Sequence, residues 1–318
     1  MIKRLIIFAA ACLAAAAPAG AQSNVTRIVV AFTAGGPVDA VARTIAEQLG
    51  KETGRTVIVD NKPGANGAIG AMEVARSKPD GSTLWITSVG AAAINPVLYS
   101  NLGYDMKRDF APVSLVVNND ELLVTSPSNP AKDAAEFVAA SKKSSDAVAM
   151  ASSGIGSIPH LAIEQLIIAT GANLLHVPYK GAAPAITDVM GGQVAGFFGD
   201  VTGVIGHVRG GKLRPLGLAA TKRHPSLPDV KTLEEQGIPG VDTNNWYAIF
   251  VSAKTPPAKL AELNKALRNT LSYPTVRDKL LHAGSEPAPS TPEELAALLR
   301  KDTEKWGKLI QDQNIKPE

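Results

Sequence analysis

Between Arg27 and Phe32 the chain runs RIVVAF, apolar without alternation; it then breaks at Gly35-Gly36-Pro37 and continues over Asp39 to Leu49 as a helix with alanine and leucine on one face. A strand with no polar alternate positions is buried on both sides, which occurs in sheets covered by helices on each face. The unit recurs. Thr56 to Val59 leads through KPGANGAIG into a helix near Ala68 to Arg76, and Thr83 to Thr87 follows the turn Lys78-Pro79-Asp80-Gly81. Strands alternating with helices place the chain in the α/β class, with a parallel sheet expected.

After Asp109 the run FAPVSLVVNNDELLVTSPSNP reads as two strands, and a second series opens with a helix at Lys132 to Lys142. VAMAS, a glycine loop, the helix His160 to Thr170, NLLHVPY, a helix near Ala183 to Met190, VAGFF, a further helix and RPLGLAAT follow. The last part, from TPPAKLAELNKALRNTL onward, is helical, with Pro256-Pro257 at its start. Two α/β series and a helical tail predict two lobes, with the chain returning to the first through the Pro- and Gly-rich segment that ends in YAIFV. The expected division is 22–121 plus 225–318 for lobe 1 and 122–224 for lobe 2. The lobes leave a cleft lined by strand C-terminal ends, where α/β proteins take ligands.

MIKRLIIFAAACLAAAAPAGAQ has the layout of a secretory leader, with Lys3 and Arg4 before the apolar Leu5 to Ala17 and an A-x-A site at Ala19-Gly20-Ala21. Residues 1–21 are expected to be removed, cleavage falling after Ala21. Cys12 lies inside this leader, and lipoprotein processing there would leave LAAAAP on the mature chain, a poor fit. The mature protein is then free of thiol chemistry, exported to the periplasm and held together by core burial. A formal charge of +3 without a long basic run gives no basis for nucleic-acid binding. Five scattered histidines offer no metal-ligand pair, so no metal or cofactor is expected.

Two loops carry candidate chemistry. At Thr33 to Gly36, glycines turn backbone N–H groups toward a ligand at a helix N-terminus, an anion-binding arrangement; a plain strand-to-helix turn is the alternative. Asp39 and Arg43 lie at i,i+4 on that helix, the spacing of an ion pair. Ser152-Ser153-Gly154-Ile155-Gly156-Ser157 repeats the device ahead of His160, with Ser157 either a ligand contact or only an N-cap. A hydrolase triad of Ser153, His160 and Asp200 lacks the G-x-S-x-G elbow and the usual order. The tract KPGANGAIG has its glycines at G-x-x-G-x-x-G, not the dinucleotide spacing, and reads better as a close-packed helix start.

Taken together and in order, AFTAGGPVDAVARTIAEQL, VIVDNKPGANGAIGAMEVARSKPDGSTL, INPVLY, SSGIGSIPHLAIE, LLHVPYKGAAPAITDVMGGQV and GGKLRPLGLAATKRHPSLPDVKTLEEQG resemble the extracytoplasmic solute-binding proteins of tripartite tricarboxylate transporters, the Bug family, from about Val25 to Trp306. The resemblance implies a two-lobed periplasmic binding protein of the Venus-flytrap, type II-like kind. It also implies a small carboxylate held between the lobes, often through ordered water and without a salt-bridging arginine. By position the contacts are Phe32, Thr33, Ala34, Gly35, Gly36 and Asp39, with Ser153, Gly154, Ile155, Gly156, Ser157 and His160 opposite. Tyr179, Lys180 and Gly181 fall near the same cleft, and Ser88 ends a strand facing it. Phe32, Tyr179 and Trp246 would suit an aromatic acid as well as a dicarboxylate.

Two positions depart from the family pattern. Ala31 stands where proline is common, and Gly199 stands where an acidic or amide residue is frequent, with Asp200 next. A carboxylate at Asp200 repels an anion and suits an amino group. The expected partners are the ligand and the membrane subunits of a transporter, the expected state a monomer and the expected activity non-enzymatic. An extracytoplasmic serine hydrolase using Ser153 or Ser157 and a sensor for a membrane signalling partner are the rival readings.

Overall fold

The computed structural model describes residues 24–317, so the leader and its cleavage after Ala21 lie outside the described residues. The first sheet gathers strands from both ends of the chain. β1 (Val25–Val30), β2 (Thr56–Asn61) and β3 (Thr83–Ser88) run parallel, and β10 (Asn245–Ser252) lies antiparallel between β3 and β4 (Phe110–Asn119). The two-residue β11 (Glu286–Pro287) closes the edge beside β4.

Both faces of this sheet are buried, as the unbroken apolar run predicts. Ile28, Val30, Tyr247, Ile249 and Val251 pack on one side against α1 (Pro37–Thr53), α9 (Pro257–Ser272) and α10 (Pro274–His282). Val29, Ala31, Trp85, Trp246, Ala248 and Phe250 pack on the other against α2 (Ala68–Ala75) and α11 (Pro292–Asp312), joined by the one-turn helices α3 (Asn95–Leu98) and α4 (Met106–Asp109). The helical tail therefore straddles the first sheet and supplies a helix layer to each face. At about 1.5 to 3 kcal/mol for each large apolar side chain taken out of water, this double coverage is what stabilises the lobe. α11 opens with a capping box in which Thr291 and Glu294 satisfy each other's backbone amides.

The second sheet has the order β7-β6-β8-β5-β9. β6 (Val148–Ser152) runs parallel to β7 (Leu174–Pro178) and β8 (Gly196–Asp200), while β5 (Glu121–Thr125) lies antiparallel between β8 and β9 (Arg214–Leu218). α5 (Ala134–Lys143) and α6 (Ile158–Thr170) cover one face; α7 (Ala182–Met190) and α8 (Val201–Arg209) cover the other.

Two features differ from the sequence expectation. Neither sheet is purely parallel: β5 and β10, the strands through which the chain crosses between sheets, enter against their neighbours because they arrive from the opposite lobe. The return also comes later than residue 225. Leu227, Leu233, Ile238 and Val241 are buried in the cores of the second sheet, and Thr232 bridges to Leu218, so the second crossing falls at Thr243 to Asn245.

Candidate functional site

The loop between β1 and α1 is built around one buried acid. Asp39, 3% exposed, accepts from the Gly35 amide at 2.9 Å, from Arg43 Nε at 2.9 Å and from Asn61 Nδ2 at 3.0 Å. Burial raises its pKa, but the bonds from Arg43, Gly35 and Asn61 outweigh that and hold the carboxyl below its usual range. Asn61 also reaches Phe32 O at 3.1 Å, fixing the loop to the end of β2. Asp39 thus braces the loop, and its charge is already matched by Arg43. The Gly35 amide is spent on Asp39 and the Gly36 amide on Thr33 O at 3.2 Å. Gly36 is the N-cap of α1 and provides no side-chain cap for its first-turn N–H groups.

The loop between β6 and α6 is organised by its polar side chains. Ser157 is the N-cap of α6, accepting from the His160 amide at 3.4 Å and donating to Gly154 O at 2.6 Å. His160 Nδ1 accepts from the Gly156 amide at 3.1 Å, which puts the ring proton on Nε2, facing Glu164 Oε1 at 3.7 Å. His176 stacks on His160 with centroids 3.8 Å apart and lies 2.6 Å from Ser152 Oγ. Burial, then the neighbouring His160, pushes the His176 pKa down to about 3. The Gly154 and Gly156 amides are thus committed to Ser152 and His160.

The suggested triad does not assemble: the serine beside a histidine is the fully buried Ser152, its partner is His176, and Asp200 is bonded elsewhere. Tyr179 donates to Asp188 Oδ2 on α7 at 2.7 Å, so its hydroxyl serves its own lobe. Lys180 is exposed and has no ion pair among the described residues. Trp246 is not available to an aromatic ligand; it is buried in the first lobe and donates to Asp302 Oδ2 at 2.6 Å.

The two lobes approach each other closely at several points. A Cβ built on Gly181 would stand 3.5 Å from Thr33 Oγ1, one on Gly203 2.8 Å from Pro37 Cγ, and one on Gly156 2.5 Å from Leu98 Cδ2. Asn66 Nδ2 donates to Gly156 O at 3.1 Å and to Asn95 Oδ1 at 3.0 Å. Asn66 sits at φ +44°, a left-handed conformation that asparagine tolerates. The glycines around it allow close packing, since a Cβ on Gly70 would be 3.0 Å from Ala31 Cα. The A-N-G triplet was the sequence signal for this contact, and sequence reasoning read it only as a close-packed helix start.

A second polar group that the sequence reading missed lies where the chain crosses between sheets. Asp200 accepts from Asn245 Nδ2 at 2.7 Å and from the Tyr247 hydroxyl at 2.6 Å, and the same Asn245 nitrogen donates to Glu121 Oε1 at 3.2 Å. Tyr247 is in register with Ser88, so this group stands at the carboxyl end of β3 as well as of β8. The larger described cavity, about 850 Å³, is on the outer flank of the first lobe between Tyr99, Met106 and Leu299, and no predicted site residue lines it.

Residues 41–315 match the family described as the tripartite tricarboxylate transporter family receptor. The chain belongs to that family. It is 31% identical over 305 residues to protein BugT of Bordetella pertussis, covering 95% of this chain and 94% of that one. Among solved structures, that of Rpa4515 of R. palustris with adipate superposes with a TM-score of 0.89 at 30% identity, covering 92% of this chain and 98% of the other. MatC of Rhodopseudomonas palustris with bound malate gives 0.84 at 31%, covering 90% and 98%. A Bug-type receptor is a two-lobed periplasmic solute-binding protein, and among the described residues no helix is long and apolar enough to cross a membrane.

Proposed function

We propose that this receptor captures a small organic carboxylate between its lobes and presents it to the membrane subunits of a tripartite transporter. The observation that carries the reading is the close approach of the two lobes where these strand-to-helix loops lie, Gly181 against Thr33, Gly203 against Pro37 and Asn66 against Gly156 O. The binding of adipate and malate by structural neighbours supports the same ligand class. Thr33, Ala34, Ser153 and Ile155 offer the amides, the uncapped start of α1 adds its dipole, and Ser88 and Lys180 complete the rim. Asp39, Ser157 and His160 hold the loops in shape and do not themselves grip the ligand.

Micromolar affinity needs about 8 kcal/mol. A partly buried helix end contributes up to about 2 kcal/mol, and a hydrogen bond to a charged group about 1.5 to 3 kcal/mol. Contacts from both lobes reach the required range after ordering costs, and either lobe alone falls short. Binding and closure are therefore one event. Among the described residues the serine hydroxyl bonded to a histidine ring, that of Ser152, is fully buried, which supports capture over turnover, and the protein acts as a monomer.

A thermal-shift screen against mono- and dicarboxylates tests the reading. A ligand at a hundred times its dissociation constant adds about 2.7 kcal/mol of stability, so the binder should raise Tm by several degrees, and Gly154→Val should remove the rise. Gly154 has φ +132°, and a branched side chain there distorts the second loop. A panel with no stabilising carboxylate would refute the proposal.

A further inference from the structure

We propose that Asp200, braced by Asn245 and Tyr247 and backed by Glu121, is the counter-charge of the cleft and selects a ligand with a cationic nitrogen at the end away from its carboxylate. The inference rests on the carboxylate-capture reading and narrows it to amino-carboxylates.

Asp200 closes β8 at its carboxyl end and starts α8, whose Gly203 meets Pro37 at the start of α1. Through Tyr247 it is linked to the β10 strand that pairs with Ser88. It is half-buried, with both oxygens held by donors from the other lobe. No Lys or Arg pairs with it among the described residues. Behind it, Glu121 is 0% exposed, and its Oε2 is buried with no hydrogen-bond partner. An acid left there without a cation is costly unless something offsets it.

Proton binding offsets part of that cost. Burial, then the charge of Asp200, pushes Glu121 well above the usual carboxylate range. Burial also raises Asp200, and the bonds from Tyr247, Asn245 and Glu121 limit the rise to about 6. Of the two acids Asp200 is the better placed to hold the negative charge, since both of its oxygens accept hydrogen bonds whereas Glu121 Oε2 has no partner. Asp120, next along the crossing, is itself raised to about 6 by burial and Glu286, with Lys222 and Asp242 the other charges near it. On this proposal the loop amides and the exposed Lys180 take the carboxylate end of the ligand, and Asp200 takes the other. A second carboxylate of the ligand would meet Asp200 as a like charge, whereas an ammonium would meet its complement.

The test compares ligands of equal length that differ only at the far end: 4-aminobutanoate with succinate, and 6-aminohexanoate with adipate, by titration calorimetry at pH 7.5. A set of α-amino acids is included alongside their deaminated counterparts. The expected result is that the best amino-carboxylate binds at least tenfold more tightly than its partner without the nitrogen, and that Asp200→Asn removes this advantage. Because the ranking is measured in the wild-type protein, it stands even if Asp200→Asn fails to fold. A dicarboxylate or plain carboxylate that binds as well as its amino partner overturns the inference and leaves carboxylate capture intact. An advantage that survives Asp200→Asn also overturns it. No binding by any carboxylate overturns both.

Discussion

Asn66 and His176 show how single side chains set the shape of this site. Asn66 donates to a loop carbonyl of the opposite lobe, Gly156 O, while also holding Asn95. Its left-handed backbone makes alanine a poor probe, because strain would be mixed with the lost bond. Asn66→Gly keeps the conformation and deletes only the amide. A hydrogen bond of this kind contributes about 0.5 to 1.5 kcal/mol net, so affinity for the ligand should weaken by about two- to tenfold in calorimetry; unchanged affinity would show that the bridge plays no part in closure. His176 makes a second prediction through protons. Its pKa is lowered to about 3 in the fold, against about 6.5 when unfolded. Between those values the unfolded chain binds more protons, so the contribution of His176 is complete above pH 6.5 and declines as pH falls toward 3, by at most about 1.4 kcal/mol per pH unit. Asp120 and Asp200, raised to about 6, act in the opposite sense and favour the fold as pH falls through 6 toward 3.8. The difference in denaturant stability between wild type and His176→Gln isolates the histidine and should change toward favouring the variant from pH 7.5 to pH 4.5. A pH-independent difference would mean that the ring is not held neutral.

Among the elements, the strands and helices were legible because the apolar runs differ so clearly from their glycine punctuation. RIVVAF, VAMAS and YAIFV are apolar on both faces and occupy central strands, and both loops predicted to hold an anion lie at strand ends facing the interlobe junction. What the pattern does not encode is direction. An antiparallel crossing strand such as β10 has the same two-sided apolarity as a parallel one, so NWYAIFVS gave no sign of running against β3. The return was placed too early for a related reason: Leu227, Leu233, Ile238 and Val241 are isolated apolar residues in an irregular segment, without a period that assigns them to a sheet. Polar contacts over long sequence separations, such as Asn245 with Glu121, are invisible to local pattern altogether. The same holds for Trp246 and Asp302, which tie α11 to β10 by a buried bond of 2.6 Å. Asp302→Ala strands the indole N–H and should cost about 1 to 3 kcal/mol. Combining it with Trp246→Phe, which removes the donor, should recover part of that loss in a double-mutant cycle. Strict additivity of the two losses would show that the bond does not couple helix to strand.

At the scale of the whole molecule, the proposed reading makes closure what joins two weak half-sites, and the lobes touch at small residues. Gly203 faces Pro37 so closely that an added Cβ would lie 2.8 Å from Pro37 Cγ, within the distance at which something must move. Gly203 has an ordinary helical backbone within α8, so leucine there is compatible with its own element and improves its helix propensity. Gly203→Leu should therefore leave each lobe folded and act as a wedge between them. Both loops remain intact in such a variant, but their amides no longer converge on one ligand. Since either lobe alone supplies too little binding energy, affinity should fall by at least tenfold, about 1.4 kcal/mol. Small-angle scattering should show a radius of gyration that ligand no longer reduces, while the wild type contracts. The two readouts together decide the matter: a variant that binds normally while staying open would place the ligand on a single lobe, and one that binds and contracts like the wild type would show that Pro37 and Gly203 do not limit closure.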